Sequence, residues 1–162
     1  MRRSVAYCVA TAFAAASGAA HAATATTSFQ VQLTIQAQCL INSASTLNFG
    51  TQGVLSANVD QTSAIQVQCT NTTPYNIGLD AGTGAGATVT TRKLTGGGAT
   101  INYSLYSDSA RTSVWGNTIG TNTVASTGTG AAQSFTVYGR IPSQTTPAPA
   151  TYTDTITVTV TY

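Results

Sequence analysis

Apolar and polar residues alternate along much of this chain. Between Phe29 and Gln36 (FQVQLTIQ), Phe29, Val31, Leu33 and Ile35 fall on one side and Gln30, Gln32, Thr34 and Gln36 on the other. That is the period of a strand with one buried face. It serves either as an ordinary first strand or as a strand offered to another molecule. Ala64–Thr70 alternates through Ile65, Val67 and Cys69, and further strands are predicted at Tyr75, Ile77 and Leu79, at Ile101, Tyr103 and Leu105, and from Ser134 to Ile141. Thr88–Thr95 (TVTTRKLT) reads as an exposed or edge strand, where charge deters wrong pairing. Cys39–Gly50 reads as an irregular strand and a turn, and Gly116–Gly130 as a loop. The strongest signal is the last, TYTDTITVTVTY (Thr151–Tyr162): every odd position is Thr, while Ile156, Val158, Val160 and Tyr162 line the other side. No window after the leader keeps a helical period. Short strands broken by Gly, Pro, Asn and Ser turns predict an all-β sandwich.

The leader is a separate matter. Arg2 and Arg3, an apolar run from Val5 to Ala16, and Ala20-His21-Ala22 make a secretory signal peptide over residues 1–22. The apolar run is too short to span a membrane. Export is therefore expected, and 162 residues less 22 leave 140, enough for one domain with its own core.

Composition changes the picture once the leader is set aside. Arg92, Lys93, Arg111 and Arg140 balance Asp60, Asp80, Asp108 and Asp154, so the formal charge of +2 belongs to the leader. A neutral chain has no basic patch for nucleic acid or anionic lipid. With charged residues at 6% of the sequence, little electrostatic repulsion opposes self-association. Beyond residue 22 there is no His and no Glu, which removes the usual general base and most metal ligands. The four aspartates fall in turns or at polar strand positions, where solvation or capping is their expected role. AGTGAG (Ala81–Gly86) and GGG (Gly96–Gly98) lack the Lys-Ser/Thr of a phosphate loop and read as hairpin loops. No catalytic residue, cofactor site or metal site is predicted. Tyr106, Tyr138 and Trp115 are the candidates for a sugar-binding surface. Cys39 and Cys69, an even pair in an exported chain, predict a disulfide. Its loop of about 30 residues makes it worth roughly 3–4 kcal/mol in the chain-entropy picture.

Several stretches together carry a family resemblance: the alternating segment closing on Cys39, LNFG (Leu47–Gly50), IQVQCT around Cys69, NYSLYSDSART (Asn102–Thr112), YGRIP (Tyr138–Pro142) and YTDTITVTVTY at the end. From Thr26 to Tyr162 the chain resembles the spore coat protein U family, the subunits of archaic, Csu-type chaperone–usher pili. Ala150 departs from the glycine often found in the turn before the final strand. The resemblance implies an incomplete immunoglobulin-like sandwich, lacking its last strand and completed by a donor strand from another subunit. It implies a donor segment at 23–37, with Phe29, Val31, Leu33 and Ile35 as donor side chains, and a sandwich domain at 38–162. Ile156, Val158, Val160 and Tyr162 would belong to the strand bordering the acceptor groove, and Cys39–Cys69 would hold the acceptor domain together. The implied partners are identical or related subunits joined head to tail, a periplasmic chaperone and an outer-membrane usher. The implied location is the cell surface, reached through the periplasm, in a pilus that supports adhesion and biofilm formation.

Two functions follow as expectations. The first is a structural fibre subunit without enzymatic activity. The alternative is a secreted carbohydrate- or surface-binding sandwich, acting as a monomer or at a fibre tip.

Overall fold

The computed structural model describes residues 21–162, so most of the predicted signal peptide lies outside the described residues. The chain divides into two units, residues 1–34 and Ile35–Tyr162. In the first, residues 21–34 have no regular secondary structure and every residue is exposed. The second holds eight strands: β1 (Cys39–Ala44), β2 (Val59–Cys69), β3 (Pro74–Leu79), β4 (Arg92–Gly96), β5 (Ala99–Tyr106), β6 (Val124–Thr127), β7 (Ala132–Ile141) and β8 (Val158–Thr161). They form two antiparallel sheets, one in the order β1-β2-β7-β5-β4 and one in the order β6-β3-β8.

Alternation explains most of this. Ile65, Val67 and Cys69 turn inward from β2, Val137 and Ile141 from β7, and Ile101, Tyr103 and Leu105 from β5. β2 and β7 pair without interruption from Val59↔Ile141 to Gln68↔Ala132, the longest ladder in the fold. Tyr75, Ile77 and Leu79 face them from β3. Gly97 and Gly98, with φ of 54° and 76°, join β4 to β5. Two successive positive φ values suit the two-residue hairpin turn whose twist matches its strands, and glycine adopts them without penalty.

Four sequence expectations are corrected. Gly116–Gly130 is not all loop: Val124–Thr127 forms β6, held by the register Pro74↔Thr127 to Ile77↔Val124. Val124 is its one large apolar residue, too little to signal a strand. AGTGAG is not a hairpin loop, because β3 and β4 lie in different sheets. β4 is an edge strand as expected, but Arg92 within it is wholly buried. Its guanidinium donates to the carbonyls of Asp80 (2.8 Å), Val89 (2.8 Å), Leu79 (3.1 Å) and Trp115 (2.8 Å). Burial pulls its pKa below the usual arginine value. Finally, the predicted last strand is regular only over Val158–Thr161.

The disulfide is present. Cys39 and Cys69 are bonded and form the first pair of the β1–β2 ladder.

On the outer face of the larger sheet, Arg140 grips Asp60 through two hydrogen bonds of 2.7 and 2.8 Å, and Arg111 reaches the same carboxylate at 3.4 Å. The hydrogen bonds from Arg140 hold the Asp60 carboxyl below its usual value, outweighing partial burial. A depressed folded-state pKa contributes stability above the unfolded value that is lost as pH falls through the folded one. Denaturation midpoints are therefore expected to be flat near neutrality and to fall below about pH 4. Asp60→Asn should flatten that acid limb; an unchanged slope in urea titrations between pH 2 and 6 would count against this assignment.

Candidate functional site

The sandwich is open along one seam. β1 pairs with β2 alone and β8 with β3 alone, so each presents a free edge among the described strands. Between them lies a cleft of about 290 Å³. One wall is Ala44–Leu47 with Phe49, and the other is Asp154–Ile156 with Val158. Its floor is the core itself, through Ile65, Leu79, Leu105 and Val137. A larger cleft of about 830 Å³ continues between the 46–55 and 146–153 loops and shares Leu47, Phe49, Leu94 and Asp154 with the first. Apolar floor plus unpaired strand edges is what β-augmentation needs: side-chain sockets for affinity and free N–H and C=O groups for register.

The C-terminal segment builds one wall by changing sheets. Thr153 exchanges backbone hydrogen bonds with Thr95 of β4 at 2.8 and 3.0 Å, and five residues later Val158 pairs with Leu79 of β3. Two aspartates hold the crossing. Asp154 accepts from the Thr83 backbone N–H (2.8 Å), the Thr83 hydroxyl (2.9 Å) and the Tyr103 hydroxyl (2.8 Å). Asp80 accepts from the backbone N–H groups of Gly82 and Thr157, each at 3.0 Å. Burial works to raise the Asp80 carboxyl, but these donors and the nearby Arg92 cation outweigh it and hold it low. Burial and the Asp154 acceptor push the Tyr103 hydroxyl up, so it stays a donor at any physiological pH. Two aspartates predicted to be solvated or to cap locally thus pin the wall of the cleft.

The predicted groove-bordering residues divide. Ile156 and Val158 line the cleft, Val160 is half-buried against the core beside it, and Tyr162 is 59% exposed and lines neither cleft. The alternation therefore holds through Val160 and fails at Tyr162. Phe29, Val31, Leu33 and Ile35 are 87, 83, 82 and 72% exposed, and residues 29–35 belong to no strand. Four large apolar side chains stand in solvent at strand spacing.

Of the three sugar-surface candidates, two come together and the third is in the core. Trp115 is a core residue, 1% exposed, with its indole N–H donating to the Ile77 carbonyl at 2.9 Å. Tyr106 and Tyr138 pair across β5 and β7, and the Arg111 guanidinium lies 5.7 Å from the Tyr138 ring centre. Among the described residues no cluster of His, Cys, Asp and Glu is suited to hold a metal. Sequence reading missed Leu47, Phe49, Leu94 and Leu105 as cleft residues. The first two were visible in LNFG, but only the packing shows which apolar residues end at an open seam.

Comparison with known proteins decides the family. The spore coat protein U domain matches residues 25–159. The chain belongs to the spore coat protein U domain family. It is 33% identical to "Protein U" of Myxococcus xanthus over 177 aligned positions, covering 100% of this chain and 98% of that protein. Its fold is similar, at a TM-score of 0.57 and 24% identity, to a chain of the CsuC–CsuE chaperone–tip adhesion subunit pre-assembly complex from archaic chaperone-usher Csu pili of Acinetobacter baumannii. That match covers 80% of this chain and 40% of the other, so this family member spans less than half the length of that neighbour. The two-sheet, helix-free architecture of the described residues agrees with an immunoglobulin-like sandwich of this kind.

Proposed function

We propose that this spore coat U protein is a structural, non-catalytic subunit of a chaperone–usher pilus, joined to its neighbours by donor-strand complementation. One observation carries the proposal: a sandwich with an open apolar seam belongs to the same chain as an unpaired segment of matching pattern. Phe29, Val31, Leu33 and Ile35 would enter the cleft of another copy, between β1 and the wall formed by Ile156 and Val158. Val160 extends the strand that the donor pairs with.

The energetics favour such a joint. Burying four large apolar side chains is worth up to about 6–12 kcal/mol before ordering costs, and strand hydrogen bonds add direction. A donor reaching from one copy into the next makes a heterologous contact, which propagates instead of closing. Before assembly the same seam would promote aggregation, so a periplasmic chaperone would cover it until an outer-membrane usher exchanges one strand for another. The fold neighbour was solved as a chaperone complex, which supports that partner. Carrying both a donor and an acceptor suits a repeating shaft subunit. On this reading the leader at 1–22 directs export, 23–37 is the donor and 38–162 the acceptor. The assembled fibre stands on the cell surface and serves adhesion and biofilm formation.

Deleting Ala23–Gln36 provides the test. The truncated chain, co-expressed with its chaperone, should still bind chaperone but form no polymer, and a synthetic peptide of the removed residues should stabilise it sharply. A truncated chain that is stable alone and indifferent to the peptide would falsify the donor reading.

A further inference from the structure

The disulfide stands where an assembled chain would be pulled. Only residues 36–38 separate Ile35 from Cys39, so tension carried by the N-terminal arm enters the domain at the first residue of β1. β1 is poorly built to resist it. It is an edge strand, interrupted by a register shift between Ile41 and Ser43, and every residue from Leu40 to Ala44 is exposed. Pulled from its N-terminal end, such a strand opens one pair at a time, starting at Cys39↔Cys69. It has almost no buried surface to hold it. The consequence would reach the cleft, because Ala44–Leu47 and Phe49 form its wall. Peeling β1 would dismantle the socket that grips the neighbouring copy.

β2 offers the contrast. It pairs with β7 over ten residue positions, and Val67 and Cys69 are wholly buried. Opening β2 from its Cys69 end would drag Val67 and Ile65 out of the core. We propose that Cys39–Cys69 is a mechanical clip, which takes tension from the arm past the weak edge strand and delivers it to β2. The inference rests on the donor-strand reading for the origin of the tension. The path from arm to domain lies within one chain.

Force spectroscopy on the folded protein separates the two. Fibres assembled in the oxidised state are stretched before and after dithiothreitol, so that folding never depends on the reduced form. Reduction is expected to add an extension step per subunit from release of Cys39–Phe49, about 36–40 Å at full extension of those eleven residues, and to lower the rupture force. Oxidised fibres should lack the step. Moving the clip two pairs inward (Ile41→Cys and Val67→Cys with Cys39→Ser and Cys69→Ser) should shorten the step to roughly 7 Å, the length of two residues. Single mature chains complemented by the arm peptide, held by the N-terminus and by a linker at the open Gly120 turn, give the same comparison without a neighbouring copy. Identical traces with and without reductant, in fibres or single chains, would overturn the clip. Failure of the truncated chain to respond to the arm peptide would instead overturn the donor reading.

Discussion

Leu33→Asp is expected to abolish fibre formation while leaving the sandwich domain able to fold on its chaperone. Leu33 lies in the middle of the apolar row and is 82% exposed in the single chain, so the substitution removes no contact within the sandwich. In the proposed joint it would lose about 1.5–3 kcal/mol of apolar transfer. It would also place a carboxylate over a floor of Ile65, Leu79 and Leu105, where desolvation costs several kcal/mol more without a cationic partner. A combined loss of roughly 5 kcal/mol corresponds to more than a thousandfold in strand affinity. Pull-down of the chaperone complex should be unchanged while polymer ladders and fibres disappear. Fibres at wild-type yield would place the joint elsewhere on the molecule. Gln32→Asp is the matched control: Gln32 belongs to the polar side of the alternation, and its replacement should be far milder.

The second large effect concerns the domain and not the joint. Arg92→Ala is expected to destabilise the peptide-complemented domain by roughly 3–5 kcal/mol, because removing a buried polar partner leaves its counterparts unsatisfied. The carbonyls of Leu79, Asp80, Val89 and Trp115 would all lose a donor. Against a typical domain stability of about 5–15 kcal/mol, that is a large fraction. Leu79 ends β3, Asp80 follows it, and both meet the C-terminal segment, so the loss should also weaken strand binding in the cleft. Arg92→Lys should recover only part of the stability, since one ammonium cannot span four carbonyls. Equal urea midpoints for Arg92→Ala and the unaltered domain would contradict this account.

Legibility of the sequence varied with how directly periodicity maps onto pairing. β2, β3, β5 and β7 were plain in the alternation because each buries one face against the same core. The two cysteines announced their bond through their number and the leader ahead of them. The residue inventory pointed away from catalysis, and the spacing of motifs from LNFG to the final YTDTITVTVTY pointed to the family that the comparisons then supplied. Arg92 was hidden because an Arg-Lys pair in a Thr-rich strand looks like exposed edge charge. Its partners are main-chain carbonyls scattered from Leu79 to Trp115, which leave no mark in sequence. β6 was hidden for the opposite reason: its partner β3 supplies what its own side chains lack.

FQVQLTIQ and TYTDTITVTVTY carry nearly the same pattern, yet their fates differ. Alternation alone determined that each chain segment has an apolar face to hide, since a period of two is a local property of the backbone. It could not say where that face is hidden. The second segment finds a neighbour within the domain, where Asp80 and Asp154 carry it from one sheet to the other and Val158 reaches Leu79. The first pairs with no strand, and its apolar side chains stay exposed. Which edges remain free depends on the order of strands in two sheets, set by contacts between residues far apart in the chain. Only the tertiary structure decides that, and with it where an incoming strand can dock.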